Sequence, residues 1–144
     1  MQPSIQVTFD AADPPALGAF WALALGYVED PPPAGFDSWE AWLSSVGIPE
    51  ERWRDRYAIS DPGGTRPRLF FQRVPEGKAA KNRVHLDVAV SGGPDVALED
   101  RRPRVDDKVA ELIAAGATQL DRFDVDHDYW VVLADPEGNE FCVM

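Results

Sequence analysis

Two stretches of this 144-residue chain run through the same order of elements, and that repeat narrows the available folds more than any other feature. Each half reads as a strand, a helix closed by glycine, a second strand, a third, an Asp-Pro-x-Gly turn and a last strand. In the first half, residues 5–10 alternate apolar and polar side chains, as a short strand does. Asp13 is a suitable helix N-cap, with Pro14 and Pro15 tolerated in the first turn. Leu17, Phe20, Trp21 and Leu25 follow at helical spacing, and Gly26 stops the helix. Residues 27–28, 57–60 and 69–74 complete the set, with the turn Asp61-Pro62-Gly63-Gly64 between the last two.

In the second half, residues 84–90 alternate most cleanly, with Val84, Leu86, Val88 and Val90 on one face and His85, Asp87 and Ala89 on the other. Residues 95–104 are charged and expected to be solvated. Val105, Val109, Leu112 and Ile113 form an i, i+4, i+7, i+8 stripe, and Gly116 ends that helix. Strands are expected at 119–123, 129–133 and 140–144, with the turn Asp135-Pro136-Glu137-Gly138 before the last. One unit's sheet is too small to bury a face alone, but two can close around a shared cleft. The expected fold class is α+β, a single domain over 1–144. Its first βαβββ module spans 1–75 and its second 82–144.

Residues 31–56 interrupt the first module. Pro31-Pro32-Pro33 excludes regular helix or inner strand. Trp39, Trp42 and Leu43 have helical spacing, and Pro49 precedes a second short helical stretch. Three tryptophans between 39 and 53 must pack on the sheet, a partner chain or a ligand. A homodimer is the preferred assembly because it would cover them.

The chain is 44% hydrophobic, with five Trp, seven Phe and three Tyr, enough for a core and for aromatic pocket walls. Twenty-five acidic against 14 basic residues give a net charge of -11. That excess disfavours nucleic acid and anionic membranes as partners. Cys142 is the single cysteine, which suits a reducing compartment. No signal peptide is apparent, and no apolar stretch reaches membrane-spanning length. A cytoplasmic location is expected.

Residues 6–14, Leu25-Gly26-Tyr27, Asn82-Arg83-Val84-His85-Leu86-Asp87, Ala115-Gly116-Ala117 and residues 130–141, with Asp135-Pro136-Glu137-Gly138-Asn139, resemble the vicinal oxygen chelate superfamily. This group includes glyoxalases, bleomycin-resistance proteins and extradiol dioxygenases, and the likeness is greatest to its glyoxalase-like domains. The resemblance implies two βαβββ modules forming a cupped mixed sheet around a small oxygen-rich molecule. Carried over position by position, it implies a divalent metal (Zn, Ni, Mn or Fe) held by Gln6, Gln72, His85 and Cys142. No carboxylate occupies those four positions. Glu140, two residues before Cys142, is expected to share its strand face and to act with His85 as a catalytic group. Gln6, Gln72, Trp21, Trp39, Trp42 and Phe71 are the expected ligand-binding residues.

Two functions follow from the resemblance, beside a third reading in which the domain serves interaction or regulation. One is an enzyme of lyase or isomerase type centred on His85. The other is a metal-free protein of the antibiotic-sequestering kind, which the absent carboxylates favour. His127, in Asp124-Val125-Asp126-His127-Asp128, reads as a solvated loop residue. The alternating aspartates lack the glycine and closing glutamate of a calcium loop.

Overall fold

The computed structural model describes all 144 residues. They form two compact units, Met1–Gly77 and Lys78–Met144. In the first, the elements run β1 (Gln6–Ala11), α1 (Pro14–Leu25), β2 (Val28–Glu29), α2 (Trp39–Ser45), a 3-10 turn (Glu50–Arg52), β3 (Arg56–Ser60) and β4 (Arg68–Arg73). In the second they run β5 (Asp87–Val88), α3 (Leu98–Ala114), β6 (Thr118–Val125), β7 (Asp128–Ala134) and β8 (Glu140–Val143). The sheet orders are β1-β4-β3-β2 and β5-β8-β7-β6. In both, the first strand lies parallel to the last and the other pairings are antiparallel. The repeat in the sequence is therefore a repeat of topology.

Local chemistry explains the elements. The Asp13 carboxylate accepts from Ala16 N at 3.4 Å, and prolines occupy the first turn of α1. Gly26 closes the helix at φ 65°, a left-handed conformation that costs glycine little. Leu17, Phe20, Trp21 and Ala24 are buried beneath it. A close approach fixes its seat on the sheet: a Cβ at Gly18 would lie 2.2 Å from Tyr57 Cδ1. In the second unit α3 buries Val105, Val109 and Leu112, three members of the expected stripe.

The two Asp-Pro turns share one device. The Asp61 carboxylate accepts from the backbone and hydroxyl of Thr65 and from Arg66. The buried Asp135 carboxylate accepts from Glu137 N and from both nitrogens of Asn139. Each aspartate thus satisfies the turn's own backbone donors, and aspartate is well suited to that task.

Two elements differ from expectation. The regular strand expected over 84–90 shrinks to Asp87–Val88, because its partner β8 is four residues long and pairs only Asp87 with Cys142 and Val88 with Val143. Val84, on the face shared with Leu86 and Val88 in the alternation, is 82% exposed. Helix α3 starts at Leu98, inside the stretch 95–104 expected only to be charged and solvated, and carries Pro103 within it. Tertiary contacts hold that first part: Arg102 forms two hydrogen bonds to Asp124, and Arg101 binds His127 O and Asp128. No helix is long and apolar enough to cross a membrane.

Candidate functional site

Strand β8 alternates between two environments. Phe141 and Val143 are buried, while Glu140 and Cys142 lie half-buried on the opposite face. That face of the second unit gathers the candidate donors. Asp87 is the register partner of Cys142 across the parallel β5–β8 pair, and His85, two residues earlier, joins them. His85, Asp87 and Cys142 each offer one ligand atom, and these atoms all lie within 4.8 Å of one another. His85 Nε2 stands 3.4 Å from Asp87 Oδ1. Burial pushes the Cys142 thiol above its usual 9.0, and the Asp87 carboxylate adds to the rise. Lys81 opposes that rise only in part, so Cys142 is a neutral thiol at physiological pH.

The same face holds Val132, opposite Cys142, and Trp130, two residues before it. Trp130 stacks on its cross-strand partner Phe123, with ring centroids 4.8 Å apart and planes at 13°. Glu140 shares the face, as its spacing implies. Its carboxylate, however, accepts from Asn82 N at 3.0 Å and pairs with Lys78 at 3.1 Å. These contacts, the backbone donors foremost, hold it down to about 2, so it stays ionised and anchors the segment leading to His85.

The first unit has an open face of its own. Gln6 Oε1 accepts from Arg68 at 2.6 Å, and Arg68 also pairs with Asp30. Gln72 Nε2 donates to Asp10 at 2.8 Å. Because Gln6 pairs with Arg68 and Gln72 with Asp10, the two glutamines stand four residues apart along the β1–β4 ladder. That separates their backbones by about 13 Å along the strands, and the Gln6 oxygen is already engaged by a guanidinium. They do not converge as a ligand pair. Gln72 instead borders a shallow cleft of about 210 Å³ with Arg52, Asp55, Arg56 and Arg73.

Of the expected pocket aromatics, Trp21 and Phe71 are 1% and 0% exposed. Both pack against Phe9, at 5.1 and 5.2 Å between ring centroids, and fill the core. The apolar β1–β4 face needs that volume beneath α1. Trp39 donates to Asp30 O and Trp53 to Ile48 O, both at 2.8 Å. Trp42 meets Trp39 edge-on at 5.7 Å. These contacts give the insertion its own local packing. Sequence reasoning missed Asp87 as a site residue, although it alternates with His85 on the face assigned to the cup.

Residues 6–144 match the family model described as Glyoxalase-like domain. The chain belongs to the glyoxalase-like domain family. Solved structures share the fold of this glyoxalase-like protein over nearly its whole length. A glyoxalase/bleomycin resistance protein/dioxygenase family enzyme from Burkholderia phytofirmans is 22% identical, with a TM-score of 0.59, over 96% of this chain and 94% of its own. A glyoxalase/bleomycin resistance protein from Albidiferax ferrireducens is 18% identical, with a TM-score of 0.55, over 97% and 95%. A mutant of the fosfomycin resistance protein FosX from Listeria monocytogenes, complexed with Mn(II) and dihydroxypropylphosphonic acid, is 11% identical, with a TM-score of 0.60, over 99% and 90%. No curated protein matches the sequence. The glyoxalase-like fold is thus α+β, two βαβββ modules with open mixed sheets.

Imidazole nitrogen, carboxylate oxygen and thiolate sulfur at mutual distances under 4.8 Å suit a zinc-class ion. Three protein ligands leave a position open, as catalytic zinc sites do. A hard ion such as Mn²⁺ prefers an oxygen-rich set, which this centre lacks.

Proposed function

We propose that this glyoxalase-like protein binds a small oxygen-rich molecule on the open face of its second module, at a centre made by His85, Asp87 and Cys142, and acts on it as a lyase- or isomerase-type enzyme. The observation that carries the reading is the convergence of those three donors on one solvent-accessible face. The donor set fits a zinc-class ion held by all three side chains. Such an ion supplies Lewis-acid polarisation of the ligand's oxygens. Asp87 orients the imidazole and contributes the carboxylate that the expected ligand positions lacked. Glu140 fixes the approach of the 78–82 segment and so positions His85 indirectly.

A second reading is binding without turnover. The stacked Phe123–Trp130 pair on the same face supports it, since two aligned rings offer a platform for a planar ligand. One experiment separates the readings. Zinc-loaded protein is screened against α-keto and α-hydroxy compounds while turnover and tryptophan fluorescence are followed together, with Trp130→Phe as the control that assigns the Trp130 signal. Turnover abolished by His85→Ala supports the enzyme. Saturable quenching with no turnover, retained in His85→Ala, supports the binding protein. The single cysteine and the acidic surface fit the cytoplasm as the place where either acts.

A further inference from the structure

The first unit contains six arginines, and five of them meet a carboxylate. Arg52 and Arg73 share Asp55, Arg54 pairs with Asp13, Arg66 with Asp61 and Arg68 with Asp30. Arg56 has no such partner. It sits directly across the β3–β4 pair from Gln72, so the two side chains project on the same face. Both border the 210 Å³ cleft, whose other walls are Arg52, Arg73 and Asp55. Three guanidinium groups against one carboxylate leave this cleft two positive charges in excess, in a chain whose net charge is -11. Asp10 lies outside the lining and accepts from Gln72 Nε2 at 2.8 Å, which fixes the amide. Arg73 is fixed too, donating from Nε to Ala12 O.

We propose that this cleft is an oxyanion subsite, with Arg56 as its principal donor and Arg52, Arg73 and Gln72 beside it, and that it takes the carboxylate or phosphoryl group of a small ligand. A guanidinium presents paired N–H donors in a planar fork that matches either group. Asp55 holds Arg52 and Arg73 in place but cannot neutralise both. An acidic surface around a local cationic cleft also confines anion binding to that cleft. The subsite is built wholly from residues of the first unit and does not depend on the function proposed above.

The probe is inorganic phosphate, titrated at constant ionic strength into chelator-treated protein, so that metal binding plays no part. Side-chain Nε–Hε resonances of arginine and the Gln72 amide are followed by ¹⁵N NMR. Saturable shifts are expected for Arg56, Arg73 and Gln72. Arg56→Ala is expected to weaken binding about tenfold or more, and Arg56→Lys, which keeps the charge but loses the fork, to restore part of it. Oxalate in place of phosphate distinguishes carboxylate from phosphoryl preference. Shifts that grow linearly without saturation, or an affinity unchanged in folded Arg56→Ala, would overturn the subsite. Zinc binding in Arg56→Ala is expected to match the wild type, so failure of the subsite and failure of the metal centre read out separately.

Discussion

Asp87 lies beside Cys142 across the parallel β5–β8 pair, and the same carboxylate stands 3.4 Å from His85 Nε2. One side chain therefore touches both of the other candidate donors. Asp87 raises the thiol and attracts an imidazolium, so the three groups form one electrostatic unit.

The state of Cys142 gives the first prediction. Its thiol is raised above 9.0 by burial and by Asp87. Iodoacetamide should alkylate it at neutral pH more slowly than it alkylates a solvent-exposed cysteine, and Asp87→Asn should speed the reaction by removing the opposing charge. Zinc needs the thiolate, so zinc affinity should climb about tenfold per pH unit while one proton is displaced. Because the folded value exceeds the unfolded one, any stability this group contributes is present below about pH 9 and lost above the folded value. Alkylation rates in Asp87→Asn equal to the wild type would contradict the coupling.

Glu140 titrates in the other direction. Its folded value of about 2 lies below the ordinary 4.5, so its contribution is present above pH 4.5 and disappears as pH falls through about 2. Glu140→Gln should be less stable than the wild type at neutral pH, with the gap closing near pH 2. Urea midpoints measured across that range check the sign. A gap that widens in acid would show that Glu140 is not held ionised by Asn82 and Lys78.

The core of the first unit supplies the third prediction. Trp21 is 1% exposed and packs on Phe9 and Phe20. Trp21→Ala should cost about 3–5 kcal/mol, as other large core truncations do. Gly18→Ala should cost about 1–3 kcal/mol, because Tyr57 occupies the space its methyl group would need. Thermal unfolding measures both. A Trp21→Ala protein of wild-type stability would return that residue to the role of pocket wall.

The fold was legible because its signals are local. Asp13, Pro14 and Gly26 bracket α1, and the two Asp-Pro turns announce their strands through side chains that bind their own backbone. The lengths of β5 and α3 were not legible. The alternation over 84–90 says nothing of how much partner β8 offers, and the start of α3 depends on Arg101 and Arg102 reaching the β6–β7 hairpin. In the site, His85 and Cys142 were found through the resemblance, and they do meet. Asp87 could have been found from alternation alone, since it shares the His85 face. The separation of Gln6 from Gln72 could not, because it follows from the β1–β4 register. Arg56 was equally hidden: an arginine becomes notable only once the others are seen to be paired.

Asp135 provides a fourth prediction. It is 3% exposed and accepts from Glu137 and Asn139. Asp135→Ala leaves those donors unsatisfied and should destabilise the second unit by about 1–3 kcal/mol. Hydrogen exchange at Glu137 and Asn139 should accelerate in the variant. Unchanged protection at those two amides would count against the turn's dependence on that carboxylate.

The central claim is that His85, Asp87 and Cys142 form one metal-binding centre, and zinc titration by calorimetry tests it most directly. Wild-type protein should bind one equivalent with proton release. His85→Ala and Asp87→Ala should each lose at least the roughly ten- to hundredfold that removal of a supporting partner costs at metal sites. Absence of zinc binding in the wild type, or affinities unchanged in both variants, would contradict the centre.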